Sequence, residues 1–163
     1  MPQVILKVPM EQYYYALNHN ARRRPEIRMG CTPAEELCII TSKEFHRRNP
    51  QTLAVTMSTT RKDWQKRVAN FYDKVCHVRV AAEGNDKRGG FVVMDGELLT
   101  LHSIDKGNGD WLMREALSLG ANRLDTFDIP YLIEFYQKHG FREILREKNT
   151  KKGMPDIVWM RKD

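Results

Sequence analysis

Between a strand-like segment ending near His102 and a helical stretch with Leu112, Met113, Ala116 and Leu119 apolar lies Asp105-Lys106-Gly107-Asn108-Gly109. Two glycines let successive backbone N–H groups converge, and the N-terminus of the helix that follows adds a positive dipole end. Lys106, Gly107, Asn108 and Gly109 are therefore a candidate cradle for a pyrophosphate. Without a ligand the same residues read as a Gly-Asn-Gly turn, with Asp110 a favourable first-turn acid. Groups able to move a proton lie close by in sequence: Glu97 and His102 on one predicted strand, Asp128 at the end of the next, and Tyr136 on the following helix. Each has a plainer reading, Glu97 as a solvated residue after a hairpin, Asp128 as a helix cap, Tyr136 as a core aromatic beside Leu132 and Phe135. Five positions separate Glu97 from His102, so regular alternation puts them on opposite faces and at most one in a common cleft. His77 and Arg79 share a strand face and read as acceptor-site or merely solvated residues. No Ser/His/Asp elbow, HExxH motif or Walker loop is present. Cys31, Cys38 and Cys76 are too few and too scattered for a disulfide framework or a zinc set, and Cys76 reads as core.

The elements that must position these residues follow from periodicity and punctuation. Residues 1–35 carry weak signals: a short helix around Glu11–Asn18 and little else, so residues 1–50 are predicted to form a basic extension with short helices. Thr41-Ser42-Lys43-Glu44 has capping-box spacing and predicts a basic helix that stops before Pro50. Leu53–Met57 reads as a strand, and Trp64, Val68, Phe71 and Tyr72 form one stripe of a helix capped at Thr60. Val75–Ala81 alternates, with Cys76, Val78 and Val80 on one face. Gly84-Asn85-Asp86 and Asp95-Gly96 are turns, so Val75–Ala81, Phe91–Met94 and Glu97–His102 predict an antiparallel meander. A helix closed by Gly120, a strand Arg123–Phe127, a helix opened by Pro130 and ended by Gly140, and a last strand pair, Arg142–Arg146 and Asp156–Met160, complete residues 51–163.

This order, the glycine loop and the segment Phe135-Tyr136-Gln137-Lys138-His139-Gly140-Phe141 resemble the GNAT superfamily of acyl-CoA-dependent N-acyltransferases over about residues 50–161. Arg123-Leu124-Asp125-Thr126-Phe127-Asp128 and Pro155-Asp156-Ile157-Val158-Trp159-Met160 are similar to a divergent GNAT-like group common in bacteriophages. The resemblance implies an α/β (α+β) fold with a mixed, splayed sheet, and acetyl-CoA or another acyl-CoA held between parallel strands Glu97–His102 and Arg123–Phe127. The family loop reads Gln/Arg-x-x-Gly-x-Gly/Ala. Gly107 and Gly109 match it, Ile104 replaces the Gln/Arg, and Asp105 and Asp110 bring negative charge that Lys106 partly offsets. Tyr136 falls where many of these enzymes place the tyrosine that protonates the departing thiolate, a task suited to a phenol of pKa ~10. The family's Asn and Ala upstream of it fall at Ile129 and Leu132. A base for the acceptor amine is then expected among Glu97, His102 and Asp128.

Composition narrows the partners. A chain of 163 residues with 41% hydrophobic content and 29% charged residues has the size and apolar content of one folded domain. No apolar run approaches the ~20 residues of a membrane span, no export signal is evident, and the expected compartment is the cytoplasm. The net charge of +6 is uneven: residues 1–89 carry +7, residues 90–147 carry −4 and residues 148–163 carry +3. Arg22, Arg23, Arg24, Arg47 and Arg48 are thus candidates for binding an acidic acceptor, protein or nucleic acid. The resulting expectation is acyl transfer from acyl-CoA to an amine. The alternatives are nucleic-acid (adenine) modification of the Mom kind found in phages, and a turnover-free GNAT-like module that binds a host protein.

Overall fold

A computed structural model describes residues 2–30, 32–48, 70–72 and 74–163. Seven strands form one mixed sheet in the order β1-β2-β3-β4-β5-β7-β6. They are β1 (Val4–Lys7), β2 (Cys76–Glu83), β3 (Asp86–Met94), β4 (Glu97–Ser103), β5 (Arg123–Phe127), β6 (Arg142–Glu147) and β7 (Ile157–Arg161). The sheet is flanked by α1 (Met10–Arg23), α2 (Ile27–Gly30), α3 (Ala34–Arg48), α4 (Gly109–Ser118) and α5 (Pro130–Lys138).

The meander forms where its turn chemistry places it. Asp95 and Gly96 both adopt positive φ, 51° and 81°, the conformation a two-residue hairpin needs to match strand twist. Alternation in β2 buries Cys76, Val78 and Val80 on one side, as expected. Each face of the sheet has its own core. Met10, Tyr13 and Leu17 of α1 and Leu37 of α3 pack over Val78, Val80, Val92 and Leu99. On the reverse side Leu112, Met113 and Ala116 of α4 and Tyr136 of α5 pack over Phe91, Val93, Leu98, Leu124, Val158 and Met160.

The N-terminal reading needs correction. The short helix expected at Glu11–Asn18 runs from Met10 to Arg23, and β1 pairs antiparallel with β2, Val4 opposite Ala82 and Lys7 opposite Arg79. β1, α1, α2 and α3 thus join the sheet or one of its cores together with the later elements, rather than forming a separate extension. The signal was obscured because the buried stripe of α1 includes Asn20, a polar residue whose partner is on β4. Thr41 does not open a helix either: it sits inside α3, donating to the Leu37 carbonyl at 3.0 Å and accepting from the Tyr14 hydroxyl at 2.8 Å. Bonding back into its own helix satisfies the hydroxyl that would otherwise cap. Leu53–Met57, Thr60, Trp64 and Val68 lie outside the described residues. Residues 70–72 and 74–75 are helical, with Phe71 packed edge-on against Phe45.

Candidate functional site

β4 and β5 run parallel and pair through Glu97 opposite Arg123. Beyond that point the strands part, and a cavity of about 230 Å³ opens between them. Leu98 to Leu101 form one wall, Asp125, Thr126 and Phe127 the other, Tyr136 reaches in from α5, and Glu36 of α3 overlooks it. A larger hollow of about 490 Å³ lies between α1 and the α2–α3 segment. Its ionisable lining, Arg22, Arg28 and Glu35, provides no partnership for proton transfer like that of Asp125 with Tyr136, so the smaller cleft is taken as the site.

Tyr136 is both a core aromatic and a cleft residue. It is 5% exposed and held by edge-on contacts with Phe135 and Phe141, with ring centroids at 5.2 and 6.1 Å, which restrict its ring. Opposite it, Asp125 opens to the cleft. Although the side chain is exposed, the surrounding protein desolvates its carboxyl enough to raise the pKa; a backbone hydrogen bond opposes this, and Glu36 and Glu147 raise it further. Glu97 behaves alike, raised first by burial, then by Asp125, with Arg123 opposing. Two neighbouring carboxylates that each resist ionisation are a recurring mark of proton-transfer sites. Asp125 was not among the expected bases. Its signal was a carboxylate in mid-strand between Leu124 and Thr126, where aspartate is disfavoured.

The expected bases fall elsewhere. Asp128 pairs with Arg146, and the N-cap position of α5 is Ile129, so Asp128 neither caps that helix nor lines the cleft. His102 is 4% exposed beneath α1, its ring bonded to Asn20 at 3.1 Å and Tyr13 at 3.3 Å. The alternation argument for Glu97 and His102 fails because of a β-bulge. Val92 faces Thr100 but Val93 faces Leu98, so Leu99 is an extra residue. Leu98 and Leu101 pack on the α4 side, whereas Leu99 joins the α1 core and Thr100 and His102 both bond Tyr13. The bulge resets the parity, and Glu97 comes to the same side as His102, near Glu44 of α3.

Burial also holds the His102 pKa down at about 4, from 6.5. As pH falls from 6.5 toward 4 the unfolded chain takes up a proton that the folded chain refuses. The stability this histidine contributes is complete above pH 6.5 and lost on descending to about 4. The loss is about 3 kcal/mol at 1.36 kcal/mol per pH unit. Denaturant unfolding at several pH values should show this slope in the native protein and a flatter one in His102→Gln.

At the glycine loop, Gly107 has φ of 91°, which an L-residue would adopt only under strain. A Cβ on Gly109 would meet the Phe135 ring at 3.3 Å, so this glycine lets the first turn of α4 sit against α5. The first intrahelical bond of α4 is donated by Leu112 to Asn108, leaving the amides ahead of it without a helical acceptor. The two aspartates that weigh against an anion are already committed. Asp105 accepts two hydrogen bonds from Arg88 at 2.9 Å and one from Gln3 at 2.8 Å. Asp110 is met by Lys138 at 2.8 Å and His139 at 2.7 Å. With Lys106 adjacent, the loop fits a pyrophosphate.

Solved structures share this fold. The ribosomal-protein-S18-alanine N-acetyltransferase of Escherichia coli matches with TM-score 0.58 at 13% identity, covering 98% of this chain and 92% of that one. Ard1 of Thermoplasma volcanium matches with TM-score 0.57 at 16% identity, covering 98% and 96%. The PaiA N-acetyltransferase of Thermoplasma acidophilum, solved with coenzyme A, matches with TM-score 0.51 at 15% identity over 100% of both chains. This is the GNAT acetyltransferase fold. No protein-family model and no curated protein sequence matches the chain, so the likeness rests on backbone geometry.

On the GNAT framework the five arginines do not form one basic patch. Arg23 binds Asp86 through two nitrogens at 2.7 and 3.2 Å, and Arg24 donates to the Ser103 carbonyl at 3.0 Å. Arg47 and Arg48 clasp Glu44, and Arg48 also pairs with Asp95. Asp86 and Asp95 bracket β3, so the two groups are separated by roughly 25–30 Å of extended strand. Arg22 lines the larger hollow. Cys76 is buried and its thiol pushed up to about 12, which leaves no nucleophile in it. No described helix is long and apolar enough to cross a membrane.

Proposed function

We propose that this protein transfers an acyl group, acetyl in the simplest case, from an acyl-CoA directly to an amine held in the β4–β5 cleft. The observation that carries this reading is the placement of Asp125 and Tyr136 on the walls of one cavity, beside a helix N-terminus suited to a pyrophosphate. The GNAT fold and the coenzyme A bound by the PaiA neighbour support it.

Lys106, Gly107, Asn108 and Gly109 with the first amides of α4 would hold the pyrophosphate, and an acyl-CoA bound there supplies an activated thioester. Asp125 takes a proton from the acceptor ammonium, so that the amine nitrogen has a lone pair to form the new C–N bond. As the C–S bond breaks, Tyr136 gives its hydroxyl proton to the sulfur, and the second proton shed by the nitrogen as the amide forms restores the phenol. Asp125 and Glu36 present negative charge to an incoming ammonium, while Arg28 and Lys151 line the same cavity. An acceptor with its amine at Asp125 and an acidic group toward those cations matches both signs.

Isothermal titration with acetyl-CoA is the direct test: saturable binding is expected, and no heat at millimolar ligand would end this reading. Tyr136→Phe should bind acetyl-CoA as the native protein does yet turn over on the order of 100-fold more slowly, since only proton donation is removed. Stopped-flow detection of free thiol, against a panel of primary amines and short peptides, would measure it.

A further inference from the structure

Behind the cleft runs a chain of buried polar groups from α1 to β4. Thr100, which lines the cavity, has Oγ1 2.5 Å from the Tyr13 hydroxyl. Tyr13 lies 3.3 Å from Nδ1 of His102, whose Nε2 is 3.1 Å from the Asn20 amide. Arg23 then reaches Asn20 Oδ1 at 3.5 Å and is anchored by Asp86. Tyr13 and Asn20 are 0% exposed and Thr100 3%.

The polarity of this chain follows from its end. Arginine only donates, so Asn20 Oδ1 accepts and its Nδ2 donates to His102 Nε2. A neutral ring then carries its proton on Nδ1, where it faces the Tyr13 oxygen. The Tyr13 oxygen accepts that N–H, so its own proton is directed to Thr100 Oγ1. A threonine hydroxyl that accepts from behind has its remaining hydrogen free to point forward, into the cleft.

We propose that Thr100 contacts the substrate, donating its hydroxyl hydrogen to the carbonyl oxygen of the acyl group under transfer, with Tyr13, His102 and Asn20 as positioning residues. An oxygen is the fitting partner, because an ammonium offers no lone pair to a donor. Charge grows on that oxygen as the amine adds, so the bond strengthens during reaction; losing such a donor costs on the order of 100-fold in kcat. This inference rests on the acyl-CoA reading and extends it.

The test uses the full-length protein with acetyl-CoA labelled with carbon-13 at the thioester carbonyl, read by difference infrared spectroscopy after titration establishes binding. The carbonyl stretch should move to lower frequency in the native protein and in Thr100→Ser, and not in Thr100→Val. Tyr13→Phe, which keeps the ring but leaves Thr100 unoriented, should show a smaller, broader shift. A merely structural role for Thr100 would not move this band. Binding with the same frequency in native protein and Thr100→Val overturns the proposal alone; absence of binding by the native protein overturns the acyl-CoA reading with it. If Thr100→Val does not fold, the comparison of native protein with Tyr13→Phe decides, and identical bands there refute the oriented donor.

Discussion

Asp125→Asn should lower kcat for acetyl transfer by about 10²–10⁴-fold, the range expected for removing a positioned general base, while acetyl-CoA binds as before. Asparagine keeps the shape and the hydrogen-bonding reach of the side chain but cannot take a proton. In the native protein the acid limb of kcat/KM should lie above the ordinary aspartate value, because partial desolvation in the cleft mouth, helped by Glu36 and Glu147, outweighs a backbone hydrogen bond that holds the carboxyl down. Activity therefore falls as pH descends through that raised value, and this limb should vanish in the variant. The stability consequence has the opposite sign. A carboxyl whose folded pKa is raised stabilises the fold below its unfolded pKa, and that contribution is lost as pH rises through the folded one. At neutral pH the ionised Asp125 is thus unfavourable, and Asp125→Asn should melt no lower, or slightly higher, than the native protein. Lower turnover with undiminished melting temperature separates a lost base from a damaged fold; unchanged turnover would remove Asp125 from the mechanism.

Gly90→Ala should be destabilising by about 3 kcal/mol or more, near the upper end for overpacking, which corresponds to a fall of roughly 6–12 °C in melting temperature for a chain of this size. An added Cβ would sit 2.3 Å from the Arg79 carbonyl oxygen and 3.0 Å from the Tyr13 ring. The first clash is with backbone inside the sheet, where Val80 pairs with Gly90, so no rotamer change relieves it. The second presses on the ring whose hydroxyl orients Thr100. Scanning calorimetry measures the stability, and a melting temperature within two degrees of the native value would show that the strands separate more easily than this packing implies.

Both residues contrast with the features that are written locally. Asp95-Gly96 demands positive φ at two successive positions, so the hairpin was legible from two letters. The stripe Leu112, Met113 and Ala116 and the terminating Gly120 define α4 from one turn to the next, and the Gly107–Gly109 loop ahead of it is local in the same sense. Tyr136 stood out because its segment, Phe-Tyr-x-x-x-Gly-Phe, carries the resemblance to GNAT enzymes within one helix end. Asp125 leaves only a faint local trace, a carboxylate in mid-strand, and Gly90 leaves none. Their roles depend on β5 parting from β4 and on α1 lying against β3, contacts between residues far apart in sequence.

The same division holds for the charges. Asp105 and Asp110 looked like obstacles to a phosphate because their partners, Arg88 and the pair Lys138 and His139, come from other elements. The run Arg22-Arg23-Arg24 looked like one basic surface because composition counts charges without counting the acids that answer them. Steric limits and periodicity act within a few residues, so the meander, the glycine loop and the last two helices were written in the chain; Tyr136 as a candidate acid was implied by the resemblance to GNAT enzymes. Only the tertiary structure decided which carboxylate faces the cleft, on which side His102 lies and what the N-terminal segment is for. One extra residue at Leu99 inverts strand parity, and an edge strand such as β1 has no identity until β2 is there to pair with it.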